Sequence, residues 1–362
     1  MDKIKVLIVE DSAFMRKLIS DFLTGNPRME VIGVARNGKD AIEKIKKWHP
    51  DVVTMDIEMP IMNGIEALKI IMRECPVPVI MLSSETDYGA DKTCLAMQYG
   101  AFDFIAKPSG AISLDLHKIK EQLKSKITAA GTANVALLQK NTIIEKQRHL
   151  NTSMPSKAGK TQGSSASPPS WKQSKKIVAI GTSTGGPRAL QYVLTNLPRD
   201  LDAPIVIVQH MPAGFTKSLA DRLNNLSEIS VKEAEDGDIL QKGTAYIAPG
   251  GYHLKVNKRG DELVASLDQT PTRNGHRPSV DVLFESLSEV NEYSTIAVVM
   301  TGMGNDGSKG LAALHKKQCA KCIAESEKSS IVFGMPKAAI ATNLVDVIED
   351  VENIAQAISE YC

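Results

Sequence analysis

The sequence predicts an α/β chain of two doubly wound parallel-sheet domains, and three observations carry that prediction. Short apolar runs alternate with amphipathic stretches over residues 1–124, and a second alternation of the same kind fills residues 175–362, which is how parallel strands wrapped by helices read. A stretch that cannot fold on its own separates the two. In both regions chemistry-bearing residues stand directly after the strands, where the sites of open parallel sheets collect. At 362 residues the chain is long enough for two cores.

Composition narrows the classes of function. The chain is 43% hydrophobic and 23% charged with a net charge of +1, so it lacks the surplus of Lys and Arg that phosphate recognition uses and is not expected to bind nucleic acid. The first apolar run, Ile4 to Val9, is short and meets Glu10 and Asp11 at once, unlike a signal segment. No apolar run approaches the roughly 20 residues of a membrane span, and the expected compartment is the cytoplasm, with no direct membrane insertion. Five scattered cysteines do not suggest a disulfide framework. Cys319 and Cys322 form a C-x-x-C, but a structural zinc site wants four ligands and no second pair lies in range; they read as two small residues on an interior strand.

In the first region, strands are expected at Ile4 to Val9, Val31 to Ala35, Val52 to Met55, Val77 to Leu82 and Phe102 to Ala106. Glu10 and Asp11 follow the first, Asp56 the third, Ser83 the fourth, and Lys107 with Pro108 the fifth. Three carboxylates in one crevice repel one another unless a cation is bound, and an all-oxygen set favours a hard ion such as Mg²⁺. A lysine and a hydroxyl on the far side suit the oxygens of a phosphoryl group carried by Asp56.

The set VLIVEDS, MDIEMPIMNG around Asp56, MLSS ending in Ser83 and Ser84, and FIAKP resembles the receiver domain of bacterial response regulators. The resemblance covers residues 1–124 and implies a flavodoxin-like five-stranded parallel sheet. It implies Glu10, Asp11 and Asp56 as ligands of Mg²⁺, Asp56 as phosphoacceptor, Ser83 and Lys107 as phosphate-sensing residues, and a histidine kinase as phosphodonor. It also implies that Phe104 is the aromatic side chain that reorients on activation; a core aromatic on a strand reads the same way.

Between Gln122 and Lys176 there are ten Lys or Arg against one acidic residue, Glu145. Asn151 to Ser170 is mostly Ser, Thr, Gly, Pro and Lys, which buries too little apolar surface to fold. Residues 125–174 are therefore expected to be a flexible basic linker, with a transient helix over Ala133 to Leu150.

The second region opens with Ile177 to Leu190, IVAIGTSTGGPRAL. An apolar strand runs into a glycine-rich turn with Ser183 at its apex, and Pro187 starts a helix. Such a turn exposes the hydroxyl at the sheet edge and offers backbone N–H groups to a developing oxyanion; glycine-rich turns of this kind more often bind phosphate or simply turn the chain. Further strands are expected at Pro204 to Gln209, Ala245 to Ala248 and Thr295 to Thr301, with a hairpin at His253 to Val256 and Leu263 to Leu267. His210 follows the second strand and Asp306 lies beyond the one ending near Thr301, so a nucleophile, an imidazole and a carboxylate meet on one sheet edge, as acyl transfer requires. The order Ser183, His210, Asp306 differs from the Ser, acid, His order of α/β-hydrolases.

IGTSTGGPRAL, IVIVQHMP, GHRPSVDVLF, MTGMGNDG and VFGMPKAA together resemble the catalytic domain of the chemotaxis methylesterase family, over nearly all of residues 175–362. This implies a three-layer doubly wound α/β domain that removes methyl groups from glutamyl residues of methyl-accepting chemoreceptors and deamidates receptor glutamines without a cofactor of its own. It implies Ser183 as nucleophile, His210 as base, Asp306 as its orienting carboxylate, and the N–H groups of Thr184 and Met303 as oxyanion donors. His276 and Arg277 would lie in a loop near the substrate, although Ser279 and Asp281 there also read simply as a helix start. The resemblance further implies that the unphosphorylated receiver packs over the catalytic face. Thr182 departs from the pattern, which usually has alanine there.

Overall fold

The computed structural model describes residues 3–84, 86–107, 113–139, 171, 174–318 and 320–362. The first domain is a parallel sheet of β1 (Ile4–Val9), β2 (Met29–Ala35), β3 (Val52–Asp56), β4 (Val79–Ser83) and β5 (Asp103–Ala106) in the order β2-β1-β3-β4-β5. Helices α1 (Ala13–Leu23), α2 (Gly38–Trp48), α3 (Gly64–Glu74), α4 (Asp87–Gln98) and α5 (Ser113–Ala130) wrap it. The helix starts follow from local chemistry: the Ser12 side chain accepts from Met15 N, and Asn63 and Glu66 form a reciprocal capping box at α3. The strand order reverses between β1 and β3, which puts Glu10, Asp11 and Asp56 in one crevice.

The stretch expected to be linker from residue 125 is helical at its start. Leu123, Ile127 and Ala130 share one face of α5 and are buried in the core, so the helix runs on to Ala130. A further helical turn at 135–139 buries Leu138. Trp171 is also buried and meets Tyr361 edge-on, ring centroids 6.1 Å apart. The rest of the expected linker, residues 140–170, 172 and 173, lies outside the described residues, as do Pro108 and Cys319.

The second domain is a seven-stranded, all-parallel sheet in the order β14-β13-β12-β6-β7-β9-β8. In chain order its elements are β6 (Lys175–Thr182), α6 (Gly186–Leu194), β7 (Ile205–Gln209), α7 (Phe215–Leu226), β8 (Ser230–Glu233), β9 (Thr244–Ile247) and the antiparallel hairpin β10 (His253–Arg259) with β11 (Glu262–Asp268). They continue with α8 (Val280–Leu287), β12 (Tyr293–Val299), α9 (Ser308–Lys317), β13 (Ala320–Glu325), α10 (Met335–Ile340), β14 (Val347–Glu349) and α11 (Val351–Tyr361). Strand β6 shows how three layers arise: Val178 and Ile180 point into the core under α6, α7 and α11, while Ile177 and Ala179 point into the one under α8, α9, α10 and the hairpin. The chain builds outward on one side of β6 through β7 and on the other through β12, so the switch point lies at the end of β6, where Ser183 stands.

Edge strands β8 and β14 were not expected; at four and three residues, half polar, they lack a readable period. Among the described residues no helix is long and apolar enough to cross a membrane.

The core of the first domain is continuous with the α6, α7 and α11 side of the second. Helix α4 packs on α6 and α7, Gln98 Nε2 donates to Gln191 Oε1 at 3.0 Å, and Phe104 stacks on Phe215 with ring centroids 4.8 Å apart.

Candidate active site

Ser183 occupies the turn between β6 and α6. Gly185 takes φ +80°, a left-handed conformation that favours glycine, and Pro187 supplies a pre-set φ in the first turn of α6. Ser183 N donates to Thr301 O at 3.0 Å, and Thr301 Oγ1 donates to Thr184 O at 2.9 Å, so the end of β12 grips the turn on both sides. Gly302 makes this possible, because a Cβ there would stand 2.8 Å from Ser183 Cβ.

From the other side comes Gln209, whose Nε2 donates to Ser183 O at 3.0 Å and to His210 O at 3.3 Å. Its Oε1 accepts from Thr182 Oγ1 at 2.5 Å. The hydroxyl that distinguishes Thr182 is thus spent on orienting the amide behind the turn. Gln209 carried no sequence signal beyond standing next to His210.

His210 Nε2 lies 2.9 Å from Asp306 Oδ2, with side chains 5% and 2% exposed. A carboxylate only accepts, so Nε2 carries the proton and Nδ1 holds the lone pair. Nδ1 is buried without a hydrogen-bond partner. Among the described residues the Ser183 hydroxyl makes no hydrogen bond, and neither do the backbone N–H groups of Thr184 and Met303.

Asp306 accepts four further hydrogen bonds: Val280 N at 2.7 Å on Oδ2, and Asn274 Nδ2, Ser279 Oγ and Asp281 N at 2.9, 2.9 and 3.2 Å on Oδ1. Burial works against its ionisation, but His210 and the N–H groups at the start of α8 outweigh it and hold the carboxyl well below the usual range. Ser279 is therefore both the N-cap of α8, accepting from Val282 N, and a donor to Asp306. Fully buried Asp281 accepts from Gly307 N and Gly310 N at 2.9 and 2.8 Å and fixes the start of α9. Sequence reasoning missed Asn274 and the role of Asp281.

His276 stacks on His210, ring centroids 3.9 Å apart and planes 7° apart. Burial, then the neighbouring His210 ring, pushes its imidazole down to about 4, so it stacks as a neutral ring at neutral pH. Arg277 keeps its guanidinium close to the hairpin, with Nη1 donating to Gln269 O and Thr270 O at 2.8 and 3.0 Å. Ser183, Thr184, His210, His276, Arg277 and Met303 all line one cavity of about 470 Å³. Its other wall comes from the first domain: Phe104, Ile105, Gln122 and Lys126. Across this seam Thr184 Oγ1 donates to Asp103 Oδ2 at 2.5 Å, and Lys126 Nζ donates to Asp103 Oδ1 at 2.7 Å and Phe104 O at 2.6 Å.

Beneath the turn, Glu325 at the end of β13 accepts from Thr301 N at 2.7 Å and Ser329 Oγ at 2.9 Å. It is 1% exposed, and burial pushes its carboxyl up to about 7 from 4.5. Between those values the folded chain holds a proton that the unfolded chain has released, so this group's contribution to stability falls as pH rises through that window. Glu325→Gln removes the effect. The variant is expected to match wild type in thermal melts at pH 5 and to exceed it at pH 8 by up to about 3 kcal/mol; equal offsets at both pH values would contradict this.

In the first domain the carboxylate oxygens of Glu10, Asp11 and Asp56 lie within 4.8 Å of one another. Lys107 Nζ bridges Asp56 Oδ2 at 2.7 Å and Glu10 Oε2 at 2.9 Å. Burial raises the pKa of Asp56, and burial with the charge of Asp56 raises that of Glu10; burial opposes the Lys107 ammonium, but the two carboxylates outweigh it and raise its pKa. Ser83 Oγ donates to Gly89 O at 3.0 Å and lines a cavity with Asp56 and Lys107. The donor set is all oxygen and carries excess negative charge, which fits a hard divalent cation.

The CheB methylesterase family profile matches residues 178–358, and that of the response regulator receiver domain matches residues 6–118. The chain is 56% identical to the protein-glutamate methylesterase/protein-glutamine glutaminase of Geobacillus kaustophilus, over 99% of this chain and 98% of that one. It is 49% identical to the protein of the same name from Bacillus subtilis, over 98% of each. Among solved structures, the Thermotoga maritima CheB methylesterase catalytic domain covers 52% of this chain and is itself covered in full, with 44% identity and a TM-score of 0.50.

Proposed function

Since the chain belongs to the CheB methylesterase family and joins that domain to a response regulator receiver domain, we propose that it is a phosphorylation-activated hydrolase of chemoreceptor glutamate methyl esters and of specific receptor glutamines. The observation that carries this reading is the convergence of Ser183, the Asp306-bound His210 and two unpartnered backbone N–H groups on one cavity that the receiver also walls.

In this mechanism Ser183 Oγ attacks the ester carbonyl and His210 Nδ1 takes its proton. The carbonyl oxygen becomes an oxyanion held by the N–H groups of Thr184 and Met303. His210 returns the proton to the departing methoxide, and methanol leaves. Water, deprotonated by His210, attacks the acyl-Ser183 ester; collapse frees the glutamate and returns the proton to Ser183. With a glutamine side chain the leaving group is ammonia. Asp306 fixes the His210 tautomer and balances the imidazolium, and the neutral His276 ring limits the swing of the His210 ring. Arg277 presents positive charge to the acidic surroundings of the receptor glutamate.

The receiver is the switch in this reading. Asp56 takes the phosphoryl group from a histidine kinase; Glu10, Asp11 and Asp56 would hold Mg²⁺, which would neutralise charge there. Ser83 and Lys107 then turn to the phosphoryl oxygens, which takes Lys107 from its present carboxylate partners. The switch reaches the active site through β5, because Asp103 holds Thr184, the neighbour of the nucleophile. Raising the open fraction tenfold requires only about 1.4 kcal/mol. Such an enzyme works in the cytoplasm, on the cytoplasmic part of its receptors.

The test is methanol release from methyl-labelled receptor membranes, with and without a small-molecule phosphodonor. Wild type is expected to accelerate about tenfold with the phosphodonor and Asp56→Ala not at all. No release from wild type under either condition, while Asp56 still takes up phosphate, would reject the esterase reading for that receptor. Asp103→Ala removes the bond to the Thr184 side chain and leaves Ser183, His210 and Asp306 with all their hydrogen bonds. It is expected to raise release several-fold without phosphodonor and to shrink the further gain on adding it; unchanged basal release would remove Asp103 from the switch.

A further inference from the structure

His315 in the last turn of α9, Cys322 on β13 and Asp346 just before β14 bring an imidazole nitrogen, a thiol sulfur and a carboxylate oxygen within 4.8 Å of one another. The cluster lies toward the amino end of β13, whereas every group in the hydrolytic mechanism stands beyond carboxyl ends of strands. Cysteine spacing does not reveal the cluster, because the partners of Cys322 are of other types and one stands 24 residues further on.

We infer that His315, Cys322 and Asp346 form a Zn²⁺ site, with water as the fourth ligand. His315 Nε2 and Cys322 Sγ are 3.4 Å apart. Zn–N and Zn–S bonds of about 2.0 and 2.3 Å at a tetrahedral angle set two such atoms about 3.5 Å apart, so the pair already has the spacing a shared ion imposes. An S–H···N contact alone gives a similar distance; the carboxylate oxygen within 4.8 Å of both atoms is what completes a donor set.

Asp346 is held beside the thiol by two backbone bonds, Cys322 N to Asp346 Oδ2 at 2.8 Å and Asp346 N to Cys322 O at 2.9 Å. Its Oδ1 pairs with Lys321 Nζ at 2.8 Å. Each carboxylate oxygen keeps a second lone pair, and these outer bonds orient it as the supporting contacts of metal sites do. A mixed nitrogen, sulfur and oxygen set suits Zn²⁺ rather than the hard ion of the receiver crevice. His315 and Asp346 are exposed while Cys322 is buried, which gives the ion a path from solvent. Binding replaces the thiol proton, released to solvent, with a zinc–thiolate bond. It ties the end of α9 to β13 and the edge strand β14, and by linkage raises stability without entering the reaction.

The probe is Co²⁺, titrated into the full chain after chelator treatment, with Zn²⁺ then added to displace it. One equivalent of Co²⁺ is expected to produce a sulfur-to-cobalt charge-transfer band with the intense visible absorption of a four-coordinate ion, and Zn²⁺ is expected to abolish both. The receiver crevice also takes divalent ions, but its all-oxygen donors give no sulfur band. The band is expected to vanish in Cys322→Ser and His315→Ala, and Asp346→Asn is expected to weaken Co²⁺ binding about tenfold or more. His315 is exposed, so its variant reports even where loss of the buried thiol disturbs folding. Absence of the band in wild type, its survival in His315→Ala, or unaltered affinity in Asp346→Asn would each overturn this three-ligand site.

Discussion

Replacing Ser183 with alanine is expected to lower methanol release from methylated receptor by roughly 10⁴- to 10⁶-fold, while phosphate uptake at Asp56 and the thermal midpoint stay as in wild type. The size follows from chemistry: of the hydroxyls lining the cavity, Thr184 Oγ1 is engaged by Asp103 and Ser125 belongs to the receiver wall, which leaves Ser183 as the nucleophile, and what survives its loss is the contribution of binding and of the Thr184 and Met303 N–H groups. Unchanged stability follows from structure. The Ser183 hydroxyl makes no hydrogen bond among the described residues, and the turn is held through backbone atoms, Ser183 N to Thr301 O and Gln209 Nε2 to Ser183 O. Its loss therefore leaves no buried partner unsatisfied. The measurement is initial methanol release at saturating phosphodonor, beside a melt of the same preparation. Activity within tenfold of wild type in a folded Ser183→Ala protein would remove Ser183 as nucleophile.

The strand ends were legible because parallel strands announce themselves as short apolar runs and whatever follows them must face the crevice. That logic brought Ser183, His210 and Asp306 to one edge and gathered Glu10, Asp11, Asp56, Ser83 and Lys107 at another. What it could not supply was contact between segments that have no common period. Asn274 and Ser279 reach Asp306 from a loop about 30 residues upstream, and in sequence Ser279 shows only its local role as an N-cap. The stacking of His276 on His210 is likewise a meeting of two loops; the sequence put His276 in a loop near the substrate but gave no sign of the ring it meets. The bond between Asp103 and Thr184 joins two domains across 81 residues, and neither residue is unusual in its own segment. The start of the expected linker at residue 125 fails for a different reason: Leu123, Ile127 and Ala130 keep the helical spacing and are buried, but Lys124 and Lys126 between them carry the basic composition of the linker that follows.

Asp306→Asn is expected to lower kcat/KM about 10⁴-fold, more than removal of a scaffold residue at the edge of a site would. An aspartate at this position only accepts, and that forces the proton onto His210 Nε2 and leaves Nδ1 free to take the serine proton. An asparagine amide can turn its NH₂ toward His210; Nε2 then accepts, the proton moves to Nδ1, and the base is lost although the ring has not moved. If the amide turns the other way, NH₂ faces the donors of Asn274, Ser279 and Asp281 instead, and a buried N–H-to-N–H clash costs about 1–3 kcal/mol. Either orientation predicts some loss of stability, because five donors converge on this carboxylate. The two effects separate experimentally. Asp281→Asn disturbs the start of α9 through Gly307 and Gly310 but leaves the His210 acceptor intact, so it should lower the thermal midpoint while retaining most of the hydrolytic rate at 25 °C. Comparable rate losses in the two variants would mean that Asp306 acts only by holding α8 and α9 together, and His210 would then have to find its tautomer without it.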